Sequence, residues 1–194
     1  MRIAVYVFDG AEELDWAGPW EVLAAWADQF PADGVEVFTL ARDRREVRCA
    51  KGLRVQADYT WDDAPPVDLL VYPGGRGTRG HLGDEAVHGW LQRLAEDGAV
   101  VTSVCTGALV LADAGLLDGL AATTHWAALD ALAAVGNDIE VRTDTRFVDS
   151  GRVVTAGGVS AGIDMALHLI VRLHSVERAR QVRRYIQYDP DPPV

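Results

Sequence analysis

Cys105 stands at the centre of Ser103-Val104-Cys105-Thr106-Gly107. There a β-branched run opening at Val100-Val101-Thr102 gives way to the helix-forming Ala108-Leu109-Val110-Leu111. A thiol at a strand-to-helix turn meets the positive end of a helix dipole, which favours the reactive thiolate. The stretch also fits small-x-nucleophile-x-small, the elbow pattern that exposes an attacking side chain on a tight turn, with serine in the first place and cysteine as the attacker. The amides that follow are placed to hold an oxyanion. The alternative is a small buried hydrophobe, the usual fate of a lone cysteine.

Asp15, in Glu12-Glu13-Leu14-Asp15-Trp16-Ala17-Gly18-Pro19, is the carboxyl best placed to serve that thiol. Pro19 suits the first position of a helix and Gly18 its cap, so Asp15 is expected in a loop after the first strand. Beside Trp16, which would also contact substrate, such a carboxyl is a plausible acid or base. Gly74-Gly75 ends another strand and would present backbone amides at the same sheet edge, where ligands bind in open α/β sheets. His125, in Ala122-Thr123-Thr124-His125-Trp126, either activates the thiol or is a structural histidine at a strand end. His81, His88, His168 and His174 lack metal-ligand spacing, so no metal is expected. Gly75-Arg76-Gly77-Thr78-Arg79-Gly80 matches G-x-G-x-x-G, but it follows Pro73 and meets Gly83 rather than a helix, which argues against a dinucleotide. Cys49 is taken as incidental.

Strands and helices alternate around these residues. Strands are expected at Arg2–Phe8, Val35–Leu40, Asp68–Tyr72 and Ala99–Thr102, with two short ones near Thr145–Val148 and Arg152–Thr155. Arg42–Tyr59 reads as a hairpin around Gly52, and Thr123–His125 as extended. Helices are expected from Gly18-Pro19 onward, from an Asp84 cap to Glu96, over Gly107–Ala114, over Trp126–Val135, and finally from Ser160 to Leu173. Apolar strands without alternation, each followed by a helix, point to a parallel sheet covered on both faces. The Pro-rich Asp189–Val194 is expected to be extended, docked or frayed.

With 194 residues the chain is long enough for one domain with a full core, and no linker or repeat divides it. A formal net charge of -11 disfavours nucleic acid and anionic membrane as partners. The apolar run Ile3–Phe8 is cut by Asp9, too short for a signal segment or a membrane span. Two cysteines make no disulfide framework, so the expectation is a cytoplasmic protein with reduced thiols.

Taken together, the sequence resembles the ThiJ/PfpI superfamily, which shares the class I glutamine amidotransferase-like fold. The carriers are Leu14-Asp15-Trp16-Ala17-Gly18-Pro19, Tyr72-Pro73-Gly74-Gly75, Thr102 to Gly107, Ala114-Gly115-Leu116-Leu117, Ala122 to Trp126, Ala156 to Asp164 and Tyr188 to Pro193. The resemblance implies a flavodoxin-like three-layer α/β sandwich with a mostly parallel sheet, and a homodimer. It is nearest to the isonitrile hydratase branch and to the sensor domains of AraC-type regulators. It further implies Cys105 as nucleophile, Asp15 as its acidic partner, Thr106 where protease-like members carry histidine, amides of Gly75 and Thr106 for an oxyanion, and no cofactor. The activity implied is hydration of an isonitrile to an N-formamide. The alternatives are a glyoxalase or deglycase acting on α-oxoaldehydes, or a ligand or cysteine redox sensor. A regulator would need a helix-turn-helix domain beyond these residues.

Overall fold

The computed structural model describes residues 1–43 and 46–191. Arg44 and Arg45, in the segment expected to form a hairpin, and Pro192-Pro193-Val194, at the end of the expected extended tail, lie outside the described residues.

In chain order the elements are β1 (Arg2–Tyr6), α1 (Glu13–Gln29), β2 (Glu36–Ala41), β3 (Glu46–Arg48), β4 (Arg54–Gln56), β5 (Tyr59–Thr60) and β6 (Leu69–Tyr72). Then come α2 (Glu85–Glu96), β7 (Val100–Val104), α3 (Gly107–Asp113), β8 (Ala121–Ala122), α4 (Leu129–Val135), β9 (Glu140–Val141), β10 (Phe147–Asp149), β11 (Val153–Ala156), α5 (Ala161–Leu173) and α6 (Val176–Tyr185). Among the described residues, seven strands form one sheet in the order β10-β11-β7-β6-β1-β2-β5. All neighbours are parallel except the edge pair β10–β11. Helices α1, α5 and α6 pack together in one layer, and α2, α3 and α4 in another. The expected mostly parallel α/β sandwich is therefore present.

The apolar strands are the reason for this architecture. Ile3 to Tyr6, Leu69 to Tyr72 and Val101 to Val104 are buried without alternation, because helices cover both faces of the sheet. Asp84 caps α2 as expected, its side chain accepting from the amides of Ala86 and Val87. The hairpin around Gly52 is the antiparallel pair β3–β4, with Val47 opposite Val55.

Three expectations require correction. Helix α1 starts at Glu13, not at Gly18-Pro19, so Asp15 lies in its first turn and Pro19 inside it. The acidic first turn, Glu13 and Asp15, suits the positive helix end. Pro19 forfeits the bond to the Asp15 carbonyl, a cost of about 3 kcal/mol, but its buried ring is seated against α5. Helix α5 is not the last: α6 follows, capped by Ser175, which accepts from the Arg178 amide. Its arginine-rich sequence buries only Ala179 and Val182, too narrow a stripe to stand out. Finally, only Ala121–Ala122 is extended before His125, pairing with β9 in a separate two-stranded sheet, and Trp126–Ala128 is a 3-10 turn ahead of α4.

The contact between α1, α5 and β7 fixes where Asp15 lies relative to Cys105. Gly162 sits at that crossing, and a Cβ there would stand 2.9 Å from Pro19 Cγ and 3.0 Å from Val104 Cγ2. Neither neighbour is the free end of a flexible chain. Gly162→Ala is expected to cost about 1–3 kcal/mol by overpacking, read as a lower urea midpoint. An unchanged midpoint would contradict this account of the crossing.

Candidate active site

Cys105 follows β7 directly and has φ 57°, the left-handed region that a non-glycine residue enters only when its surroundings impose it. Its own backbone bonds supply that imposition. The Cys105 amide donates to the carbonyls of Ala156 (3.1 Å) and Gly157 (2.9 Å) at the end of β11. The Cys105 carbonyl accepts from Thr124 Oγ1 at 2.7 Å. The sequence therefore turns from strand to helix on a strained cysteine, as an elbow requires.

Glycines let the neighbouring backbone close on that turn. A Cβ at Gly74 would fall 2.5 Å from the Thr106 nitrogen, and 2.8 Å from both Asp15 Oδ2 and Cys105 Cβ. At Gly75, φ is 115° and a Cβ would meet Glu12 N and Gly10 O at 2.4 Å. The amides of these two glycines are both used within the protein. Gly74 N–H donates to Asp15 Oδ2 at 2.9 Å, and Gly75 N–H donates to Thr106 Oγ1 at 3.0 Å. The Gly75 amide, expected to serve an oxyanion, is held by the Thr106 hydroxyl in this structure.

Asp15 is 0% exposed and Cys105 7% exposed. Burial pushes the Asp15 carboxyl up to about 7, opposed by the Gly74 amide, the Cys105 thiol and the Val159 amide. Its Oδ2 accepts from the Gly74 amide, and its Oδ1 closes no full hydrogen bond. Burial likewise pushes the Cys105 thiol up to about 12, reinforced by the Asp15 charge and opposed by the Thr106 amide and hydroxyl. The helix end therefore does not make a resting thiolate. Helix α3 is only seven residues long, and its pull is smaller than the cost of desolvating the anion beside a carboxylate.

Val159 has φ 47°, rare for a β-branched residue and worth about 1–3 kcal/mol of strain. Its turn is wedged by His125: a Cβ at Gly158 would lie 2.2 Å from His125 Cδ2. His125 Nδ1 accepts from the Ala127 amide at 3.2 Å, so this ring nitrogen caps the 3-10 turn rather than meeting the sulfur. Thr124, Gly157 and Val159, which touch the Cys105–Asp15 pair, also line a cavity of about 420 Å³ whose wall includes His125, Trp126 and Arg146. Trp16 does not face that cavity. It is buried on α1 beside Cys49, whose thiol it influences. Thus Cys105, Asp15, Thr106, Gly74 and Gly75 converge, His125 lines the neighbouring cavity, and Trp16 lies apart. Among the described residues, no cluster of His, Cys, Asp and Glu could hold a metal, and no helix is long and apolar enough to cross a membrane.

The DJ-1/PfpI family profile matches residues 1–172. The chain belongs to the DJ-1/PfpI family. The isonitrile hydratase of Pseudomonas putida is 37% identical over 193 residues, spanning 100% of this chain and 81% of that protein. The transcriptional regulator GbdR of Pseudomonas aeruginosa is 36% identical over 151 residues, 78% of this chain but only 41% of the regulator. The crystal structure of a ThiJ/PfpI family protein from Pseudomonas syringae superposes with a TM-score of 0.88 at 31% identity, covering 100% of this chain and 77% of that one. The residue near the pair that sequence reasoning missed is Val159. Nothing in Gly157-Gly158-Val159 signals a left-handed valine.

A carboxyl held at about 7 keeps its proton in the native state at pH values where the unfolded chain has lost it. Its contribution to stability therefore falls as pH rises from about 4 to about 7 and is level above. Asp15→Asn, which cannot ionise, should melt about 5–10 °C above the wild type at pH 8. That difference should shrink toward zero at pH 4. A difference independent of pH would contradict a buried, titrating Asp15.

Proposed function

We propose that this protein is a cysteine-dependent hydratase of a small electrophile, in the manner of an isonitrile hydratase, and needs no cofactor. The observation that carries the reading is the buried Asp15–Cys105 pair on a strained elbow followed by Thr106. Around neutral pH the pair passes from two protons to one as Asp15 ionises, and it keeps that last proton because a second charge beside the first is strongly disfavoured. A pair of that kind both withdraws and returns a proton, which is what adding a thiol across a single carbon demands. The 7% exposure of Cys105 favours a slender substrate end, and the terminal carbon of an isonitrile bears no substituent.

In the proposed sequence, Asp15 takes the thiol proton as Sγ bonds to the isonitrile carbon, and returns it to that carbon. The product is a thioimidate, R–N=CH–S–Cys105. Water then adds across the C=N bond with Asp15 again taking and giving the proton, forming R–NH–CH(OH)–S–Cys105. Collapse breaks the C–S bond, the hydroxyl proton passes through Asp15 to sulfur, and R–NH–CHO leaves. Thr106 assists by donating to sulfur when it carries charge. The likeness to GbdR supports a second reading, a ligand sensor on the same domain.

Alkyl and aryl isonitriles, with methylglyoxal alongside, test these readings. Cys105→Ala should abolish formamide production while the protein remains folded, and Asp15→Asn should lower kcat by about 10²–10⁴. Because Asp15 must start as the base, kcat/KM should rise about tenfold per pH unit below about 7 and level off above. Turnover surviving in Cys105→Ala would refute the mechanism. Turnover of methylglyoxal alone would favour glyoxalase or deglycase chemistry, and no turnover at all would favour the sensor.

A further inference from the structure

We propose that Thr124 is a positioning residue for Cys105: by donating to the Cys105 carbonyl it fixes the Cys105–Thr106 peptide, and so keeps the Thr106 N–H turned toward the sulfur. This role rests on Cys105 being the nucleophile of the proposed reaction. Thr124 is 3% exposed, and its hydroxyl lies 2.7 Å from the Cys105 carbonyl oxygen. The reaction above does not use it.

The geometry of a single peptide group decides the matter. Among the described residues no peptide bond is cis, and the C=O and N–H of a trans peptide point in opposite directions. A donor that holds the Cys105 carbonyl on one side therefore sets where the Thr106 N–H points on the other. On that other side the Thr106 nitrogen and Cys105 Cβ border the same space. A Cβ at Gly74 would fall 2.5 Å from the nitrogen and 2.8 Å from Cys105 Cβ. The Thr106 amide is accordingly one of the groups that favour the thiolate. A hydrogen bond accepted by the carbonyl also polarises the group and strengthens its N–H as a donor.

With the Thr124 hydroxyl removed, the carbonyl is held far more weakly. The Ala108 amide also reaches it, but at 3.3 Å, just beyond the ordinary N–H···O range. Cys105 at φ 57° is strained, so a loosened carbonyl lets the peptide plane rotate and the N–H leave the sulfur. Thr124 is itself anchored. The Thr123 N–H donates to Thr155 Oγ1 on β11 at 2.9 Å, with both threonines buried. The end of the same strand receives the Cys105 amide, through the carbonyls of Ala156 and Gly157. Strand β11 thus holds the Cys105 amide directly and the Cys105 carbonyl through Thr124. A serine at 124 keeps the donor, whereas a valine keeps the shape and loses it.

The experiment measures iodoacetamide alkylation of the full chain between pH 7 and 10, with Cys105 and Cys49 resolved by peptide mass spectrometry. Wild type is compared with Thr124→Val, Thr124→Ala and Thr124→Ser, each checked for folding by circular dichroism and held well below its melting temperature. The valine and alanine variants should shift the line of log rate against pH for Cys105 by about one unit upward in pH, about tenfold slower at a given pH. The line for Cys49 should not move, and Thr124→Ser should superimpose on wild type. A purely structural bond would lower the melting temperature and leave the Cys105 line of the folded protein in place. Two variants without the hydroxyl are used so that loss of folding in one leaves the other to decide. With an isonitrile, kcat should fall about tenfold in these variants, with KM unchanged, and should be retained in Thr124→Ser. A folded Thr124→Val or Thr124→Ala whose Cys105 alkylates at the wild-type rate or faster would overturn the proposal, as would a Thr124→Ser as slow as the valine variant. Should wild type hydrate no isonitrile, the proposed reaction fails while the alkylation line still decides the role of Thr124.

Discussion

Two acids buried against each other, Asp15 and Cys105, set the terms for the rest of the molecule. Desolvation forbids both from being charged, and each raises the other's resistance to ionisation. Bringing them together requires a cysteine in left-handed backbone, a helix whose first turn carries the aspartate, and a glycine at position 74 that lets a peptide pass between them. Gly162 extends the same requirement to the neighbouring helix, because α5 must press on Pro19 and Val104 for α1 to keep Asp15 in place. Side chains with no part in the chemistry are thereby constrained by it.

The electrostatics differ from those of a thiolate enzyme with a resting anion. A short helix end and the Thr106 donors lower the thiol, yet burial dominates and leaves it neutral until substrate arrives. Such a site keeps the thiol quiet, and under the proposed reaction its activation depends on the neighbouring carboxylate. The Gly74 amide donates to Asp15, and the Gly75 amide to the Thr106 hydroxyl beside the pair. That arrangement suits addition to a carbon which itself takes up the proton.

Much of this was legible in the sequence, and the failures have identifiable causes. Strands β1, β6 and β7 announce themselves as unbroken apolar runs because both sheet faces are covered. Asp84 announces its helix, and Ser103 to Gly107 its elbow. The start of α1 was misplaced because Pro19 carries a strong local preference, and only the packing of its ring on Gly162 overrides that. Helix α6 was missed because two buried residues leave almost no periodic signal. The upward shift of the Cys105 thiol was invisible for a deeper reason: local sequence shows a helix end, whereas burial is a property of the whole fold. The same holds for Val159, whose left-handed backbone follows a glycine packed against His125.

The most direct test of the buried pair is the titration of Asp15 itself, followed by its side-chain carboxyl carbon-13 resonance in labelled protein and assigned by comparison with Asp15→Asn. The account predicts one carboxyl that titrates at about 7, far above the others, and disappears in the variant. An Asp15 resonance that titrates with the ordinary carboxyls below about pH 5 would contradict it.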